Sequence, residues 1–243
     1  SRQSIECNQS GYFVIGVSNC ATSILVQPAT TPQTNCKNTT ATALFVEGSG
    51  ANLAYQWYSN TSPSNTNGTL IPGATSASYI PSTAVVGTLY YYVEVTGTIA
   101  PLSVISSVSG AITTIDLPTI TASSTATTAC YSSTLQTTTL TYTETTNNAT
   151  SYSIDWDATA NTAGLTDQAS TTFAFSPTGG TITNIAIAAG ANPGTYNGTF
   201  KVLNSNGCFT TYPISILING SPSFSAVGSV TNPRAMNFDG VND

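Results

Sequence analysis

The sequence predicts an all-β chain of sandwich domains in tandem, and three observations predict it. The first is composition. Only 6% of the 243 residues are charged, against about 25% in ordinary globular chains. Thr, Ser, Asn and Gly take their place, and these suit strands and turns rather than helices. The second is alternation. Leu53, Tyr55 and Trp57 share one face of an extended chain, and Tyr91, Val93 and Val95 share one face of another; side chains alternate across a strand, so each run offers one apolar face to a core. The third is repetition. Tyr152, Ile154 and Trp156 restate the first pattern, and Tyr196 follows Pro193 and Gly194 much as Tyr91 follows Gly87. A Trp on an early strand, with a Tyr opening a later strand after a Gly turn, is the core plan of an immunoglobulin-like β-sandwich. The predicted core is therefore Tyr55, Trp57 and Tyr91 in one domain and Tyr152, Trp156 and Tyr196 in the next.

Taken in order, residues 1–28 read as the C-terminal hairpin of a truncated upstream β domain. Gly11–Cys20 and Ile24–Val26 supply its two strands. A similar hairpin recurs near the end, where Gly198–Cys208 runs into Ile214–Ile218. Pro28–Pro32 is a linker, and the first complete domain spans 29–116. Its strands are expected at Ala43–Val46, Asn52–Tyr58, Ala77–Ile80, Leu89–Val95 and Ser103–Ile115, with a polar excursion over Ser59–Gly73. Leu117-Pro118 marks the next boundary. The second domain spans 117–220, with strands at Leu135–Tyr142, Tyr152–Trp156, Phe173–Phe175, Ile182–Ile187, Tyr196–Val202 and Tyr212–Ile218. Residues 221–243 are a linker and the start of a further, truncated domain. The whole reads as an excerpt of a longer protein.

Charge excludes several functions. The net charge is −6 with four basic residues, so no basic patch can form to neutralise phosphates and no nucleic-acid partner is expected. No apolar run approaches the ~20 residues of a membrane-spanning helix, so no membrane insertion is expected. The absence of His rules out a Ser-His-Asp or Cys-His nucleophile and removes the usual ligand of zinc and haem sites. Asp155 and Asp157 are the one close acidic pair in a strand, but nothing indicates a cleft for glycoside hydrolysis around them. Calcium needs six to eight oxygen ligands, so solvated carboxylates are the preferred reading and a calcium site the weaker one. The chain is expected to be no enzyme and to need no cofactor.

Five cysteines stand apart, with no CxxC pair. Separated cysteines in a Thr/Asn-rich β protein fit disulfides outside the cell. Cys130 and Cys208 bracket the second domain and are expected to pair, closing a loop worth about 4 kcal/mol in the chain-entropy account; the alternative is two buried thiols. Cys7 and Cys20 are candidates for a bridge within the first hairpin. Among the tyrosines, strand phase turns Tyr58, Tyr90 and Tyr92 outward, as candidates for stacking on a saccharide ring or a partner protein, or simply for shielding the sheet by cross-strand pairing.

Three runs carry a resemblance: Tyr55–Asn60, Gly68–Tyr79 and Gly87–Val95. They resemble the immunoglobulin-like repeats of very large surface proteins of gliding Bacteroidetes. The match is good over 29–116 and looser over 117–220. Met236–Asp243 is similar to the opening strand of laminin-G or concanavalin-like lectin domains of the same class of proteins. The resemblance implies a cell-surface adhesin, exported by the type IX secretion system and acting in attachment or gliding. Related repeats often place a Cys soon after the Tyr-rich strand, to pair with one at the position of Cys36. Gly97–Ile99 has none, which leaves Cys36 either free or paired with Cys20. The expected function is a stalk whose partners are neighbouring domains of the same chain. The alternatives are a module that binds surface glycans or other cell-surface proteins, and an accessory region of a secreted polysaccharide-degrading enzyme.

Overall fold

The structure is a computed structural model and describes residues 21–122 and 126–220. The expected hairpin over 1–28 lies largely outside them, as do Cys7, Cys20 and the truncated unit over 221–243.

Among the described residues, ten strands precede Leu117: β1 (Ser23–Val26), β2 (Gln33–Cys36), β3 (Leu44–Phe45), β4 (Glu47–Ser49), β5 (Ala54–Asn60), β6 (Thr69–Leu70), β7 (Ser78–Tyr79), β8 (Gly87–Thr96), β9 (Ser103–Ile105) and β10 (Ile112–Ile115). They form one long layer in the order β2-β10-β8-β5-β6, with β9 also on β8, opposed by the short ladders β1–β4 and β3–β7. Leu44, Val46, Trp57, Tyr91, Val93, Val95 and Ile112 make the core between the layers. Trp57 is fully buried, its Nε1 donating to the Ser76 carbonyl at 2.8 Å. Tyr55 is only half-buried and packs against the edge of this core.

The described residues after it form eight strands and one helix: β11 (Thr119–Ala122), β12 (Ala126–Cys130), β13 (Gln136–Thr146), β14 (Ala149–Trp156), α1 (Ala158–Thr162), β15 (Gln168–Thr172), β16 (Gly180–Ile187), β17 (Gly194–Asn204) and β18 (Phe209–Asn219). Here β11-β13-β16 faces β12-β18-β17-β14-β15. Tyr152, Ile154 and Trp156 on β14 meet Tyr196, Phe200 and Val202 on β17 in a separate core. The Tyr196 hydroxyl donates to the Asn192 carbonyl at 2.8 Å, the back-bond of a tyrosine corner.

The two halves share one plan, and no described sheet mixes their strands. In each, a strand near the start lies parallel to the last strand (β2 on β10, β12 on β18), and the Trp strand neighbours the Tyr strand. This is an all-β fold of immunoglobulin-like sandwiches. The alternating sequences explain it, because each Trp strand has one apolar face to bury.

Three elements differ from expectation, each for a visible reason. The strand expected over Ser103–Ile115 is broken between β9 and β10. There the Ser106 and Ser109 hydroxyls accept from the Val93 and Tyr91 amides at 3.0 Å, so side chains replace part of the ladder and let the chain bend. Phe173 and Phe175 follow β15 instead of forming a strand, and their rings pack edge-on against each other and Tyr142. Asp157 lies beyond the end of β14 and caps α1, accepting from the Ala160 amide at 2.8 Å.

Gly198 shows how closely the second core is packed. It lies opposite Trp156, and a Cβ there would come within 2.7 Å of Trp156 Cε3 and 2.8 Å of the Asp155 carbonyl oxygen. The ring sits where a side chain would stand, and the backbone oxygen cannot give way. Gly198→Ala is expected to destabilise the second sandwich by about 1–3 kcal/mol, read as a shift of its urea midpoint at unchanged slope.

Candidate functional site

Two regions carry the residues with candidate roles: the outer face of β5 and β8, and the junction between the sandwiches.

On the outer face, Tyr58 and Tyr92 are direct cross-strand partners. Their rings stack at 5.1 Å with planes 6° apart. The Tyr58 hydroxyl donates to Glu94 Oε2 at 3.1 Å, and the Ser103 hydroxyl donates to the other oxygen of that carboxylate. Burial first, then the hydrogen bond and charge of Glu94, and last Tyr92, hold the Tyr58 phenol above its ordinary pKa. Tyr90 is half-buried.

Tyr92 corrects the phase argument. It does point to the outer face, yet it is 5% exposed. The polar excursion folds back over it: the Gly68 amide donates to the Tyr92 hydroxyl at 3.0 Å, and Asn65 Nδ2 donates to the Ser106 carbonyl at 2.8 Å. A Cβ on Gly68 would sit 2.6 Å from the Tyr92 ring, so the glycine is what lets the loop close. A sugar ring cannot stack on Tyr92 while the loop lies there. Shielding by cross-strand pairing is what the contacts describe.

The inner tyrosine gives a pH dependence. Burial, with a smaller contribution from Tyr79, pushes the Tyr91 phenol up to about 12. Its unfolded value is about 10, so the neutral form is favoured by folding. The associated stability is fully present below pH ~10 and is lost as pH rises through about 12. Alkaline titration is expected to show cooperative unfolding in that window, with tyrosinate absorbance appearing together with loss of near-ultraviolet dichroism; Tyr91→Phe should move the transition to higher pH.

The junction is built from strand ends. Cys36 closes β2, level with Ile115 at the end of β10. Cys208 ends the turn between β17 and β18. Asn204 organises that turn, its Oδ1 accepting from the amides of Asn206 and Cys208 at 3.0 and 3.1 Å. The two cysteines form a disulfide with a Cα–Cα distance of 5.5 Å across a sequence separation of 172 residues. Beside it, Lys37 Nζ lies 3.6 Å from Asp116 Oδ1, and Asn147 Nδ2 donates to the Leu117 carbonyl at 2.8 Å. A cleft opens here between Val86, Ile115 and Asp116 on one side and Asn147, Asn204 and Asn206 on the other.

This pairing overturns the expected Cys130–Cys208 bridge. Cys130 is an exposed free thiol. It ends β12 opposite Asn219, whereas Cys208 immediately precedes Phe209 at the other end of β18. An eleven-residue strand holds such positions about 35 Å apart at ~3.3 Å per residue, and a disulfide tolerates no more than ~7 Å between Cα atoms. Sequence bracketing put the two cysteines on one domain but could not say at which pole each lies. The sequence leaves Cys36 free or paired with Cys20, and the structure pairs it with Cys208 instead.

A family model described as "Domain of unknown function (DUF8696)" matches residues 27–115. No curated protein matches the chain. Among solved structures, the chain is similar to fibronectin(III)-like modules of Clostridium thermocellum CbhA at 12% identity, covering 82% of this chain and 94% of that one, with a TM-score of 0.35. It is similar to extracellular domains 3–5 of Drosophila OTK at 12% identity, covering 82% of this chain and 62% of that one, with a TM-score of 0.40. It is also similar to the Bacteroides ovatus protein SGBP-B, solved with a mixed-linkage heptasaccharide, at 13% identity, covering 82% of this chain and 47% of that one, with a TM-score of 0.28.

Proposed function

We propose that these immunoglobulin-like modules are a spacer segment of a bacterial cell-surface adhesin that holds an adhesive region away from the surface during attachment or gliding. The disulfide fits an extracellular domain, and the resemblance to surface proteins of gliding Bacteroidetes supports export by the type IX system. One observation carries the reading. The Cys36–Cys208 bridge gives the junction a second covalent connection beside the short peptide linker at Leu117-Pro118. A single connection allows swivel; two separated connections restrict it. Relative domain motion is the default for modules joined by a small contact, so a covalent lock at this point serves spacing and orientation. The reading assigns these residues no catalytic step and no cofactor, and the partners are the neighbouring domains of the same chain.

The test is replacement. In the full-length surface protein, residues 29–220 are exchanged for an unrelated rigid pair of sandwiches of equal length. Attachment retained supports the spacer. Attachment lost, together with glycan-array binding by the isolated chain, overturns it in favour of a glycan-binding module.

A further inference from the structure

We propose that the Cys36–Cys208 disulfide is a load bypass: tension applied to the ends of this segment runs through β1, β2, the disulfide and β18, and the chain between the two cysteines carries none of it. The inference rests on the spacer reading and adds the mechanics of the same junction.

Connectivity and strand direction set the path of the load. A pull on the amino-terminal side enters at β1 and continues through β2 to Cys36. β2 is parallel to β10, with Cys36 level with Ile115, so it runs toward the exit of the first sandwich. From Cys36 the shortest covalent route crosses the S–S bond to Cys208, where β18 begins. β18 then runs to Asn219 at the far pole, antiparallel to β17 and parallel to β12. A strand is already near its full length, at ~3.3 Å per residue, so β18 has little length to yield. Tension at its two ends balances within the strand and leaves β17 and β12 as unloaded neighbours.

Both hydrophobic cores depend on residues inside the bypassed loop. Trp57, Tyr91, Trp156 and Phe200 all lie between the cysteines in sequence. So does the linker at Leu117-Pro118, which would otherwise transmit the whole load. Without the bond, force would pass through the first sandwich, the linker and the second sandwich in series. The length withheld is large: 172 residues at up to ~3.5 Å each is about 600 Å.

The experiment stretches the full 243-residue chain from its two ends in an optical trap. The oxidised chain is expected to release about 600 Å less contour length than Cys36→Ser or Cys208→Ser before reaching its limit. Cys130→Ser, at the exposed thiol, should behave as the unsubstituted chain. If the serine variants fold poorly, reductant added to the oxidised chain at clamped force replaces them, and the same length should appear after its addition. Equal release with and without the bond overturns the bypass. Equal release, with attachment retained when residues 29–220 are exchanged for the unrelated pair, overturns the bypass alone. The ~600 Å difference, with attachment lost on that exchange and glycan bound by the isolated chain, overturns the spacer reading alone.

Discussion

Trp57→Ala is expected to unfold the first sandwich selectively. The indole is fully buried, stacks on Tyr79 at 5.8 Å, and holds the Ser76 carbonyl through Nε1. Truncating a buried Trp costs about 3–5 kcal/mol, and the hydrogen bond to the Ser76 carbonyl is lost with it. A domain of this size has about 5–15 kcal/mol in total. The transition of the first sandwich should fall on the order of 20 °C in calorimetry. Trp156, in the separate second core, is then the remaining fluorophore, and its emission should change at the unshifted temperature. Equal downward shifts in both transitions would mean that the two cores unfold as one unit.

Cys208→Ser is expected to have the second large effect, on a different quantity. In the chain-entropy account, a cross-link closing a loop of this length is worth about 5 kcal/mol. Because the bond joins two sandwiches with separate cores, its loss should appear chiefly as freedom at the junction. Spin labels placed on the exposed residues Val85 and Leu135, one in each sandwich, should give a narrow distance distribution in the oxidised chain and a broad one in the variant. Guanidinium unfolding of the oxidised chain should also end at a higher concentration than that of the variant. A distribution of unchanged width would show that the linker and the Asn147–Leu117 contact alone fix the angle.

The elements legible in the sequence were those with a strict period of two. Tyr152, Ile154 and Trp156 announce β14 because three apolar side chains alternate with Ser153 and Asp155, and all three are buried. Tyr92 was legible only by half. Phase shows which face a side chain leaves from, but not what folds over it, and the cover comes from Gly68 and the excursion before it. The break after β9 was hidden because Ser is as compatible with a strand as with a bend, until its hydroxyl is seen taking a ladder bond. The disulfide was the least legible. Pairing depends on which strand ends share a pole, and that is set by sheet order, here by β2 lying on β10 and by β18 starting at the junction.

The Cys36–Cys208 bond also changes what a protease can do to this segment. Exposed loop tips are where backbones are cut most readily, and the polar excursion, with Thr61, Ser62 and Asn67 exposed, is such a tip. A cut there, or at any other point between the two cysteines, leaves the ends of the segment joined through sulfur. The segment is therefore covalently redundant over most of its length, and damage that would sever an ordinary two-domain chain leaves this one tethered.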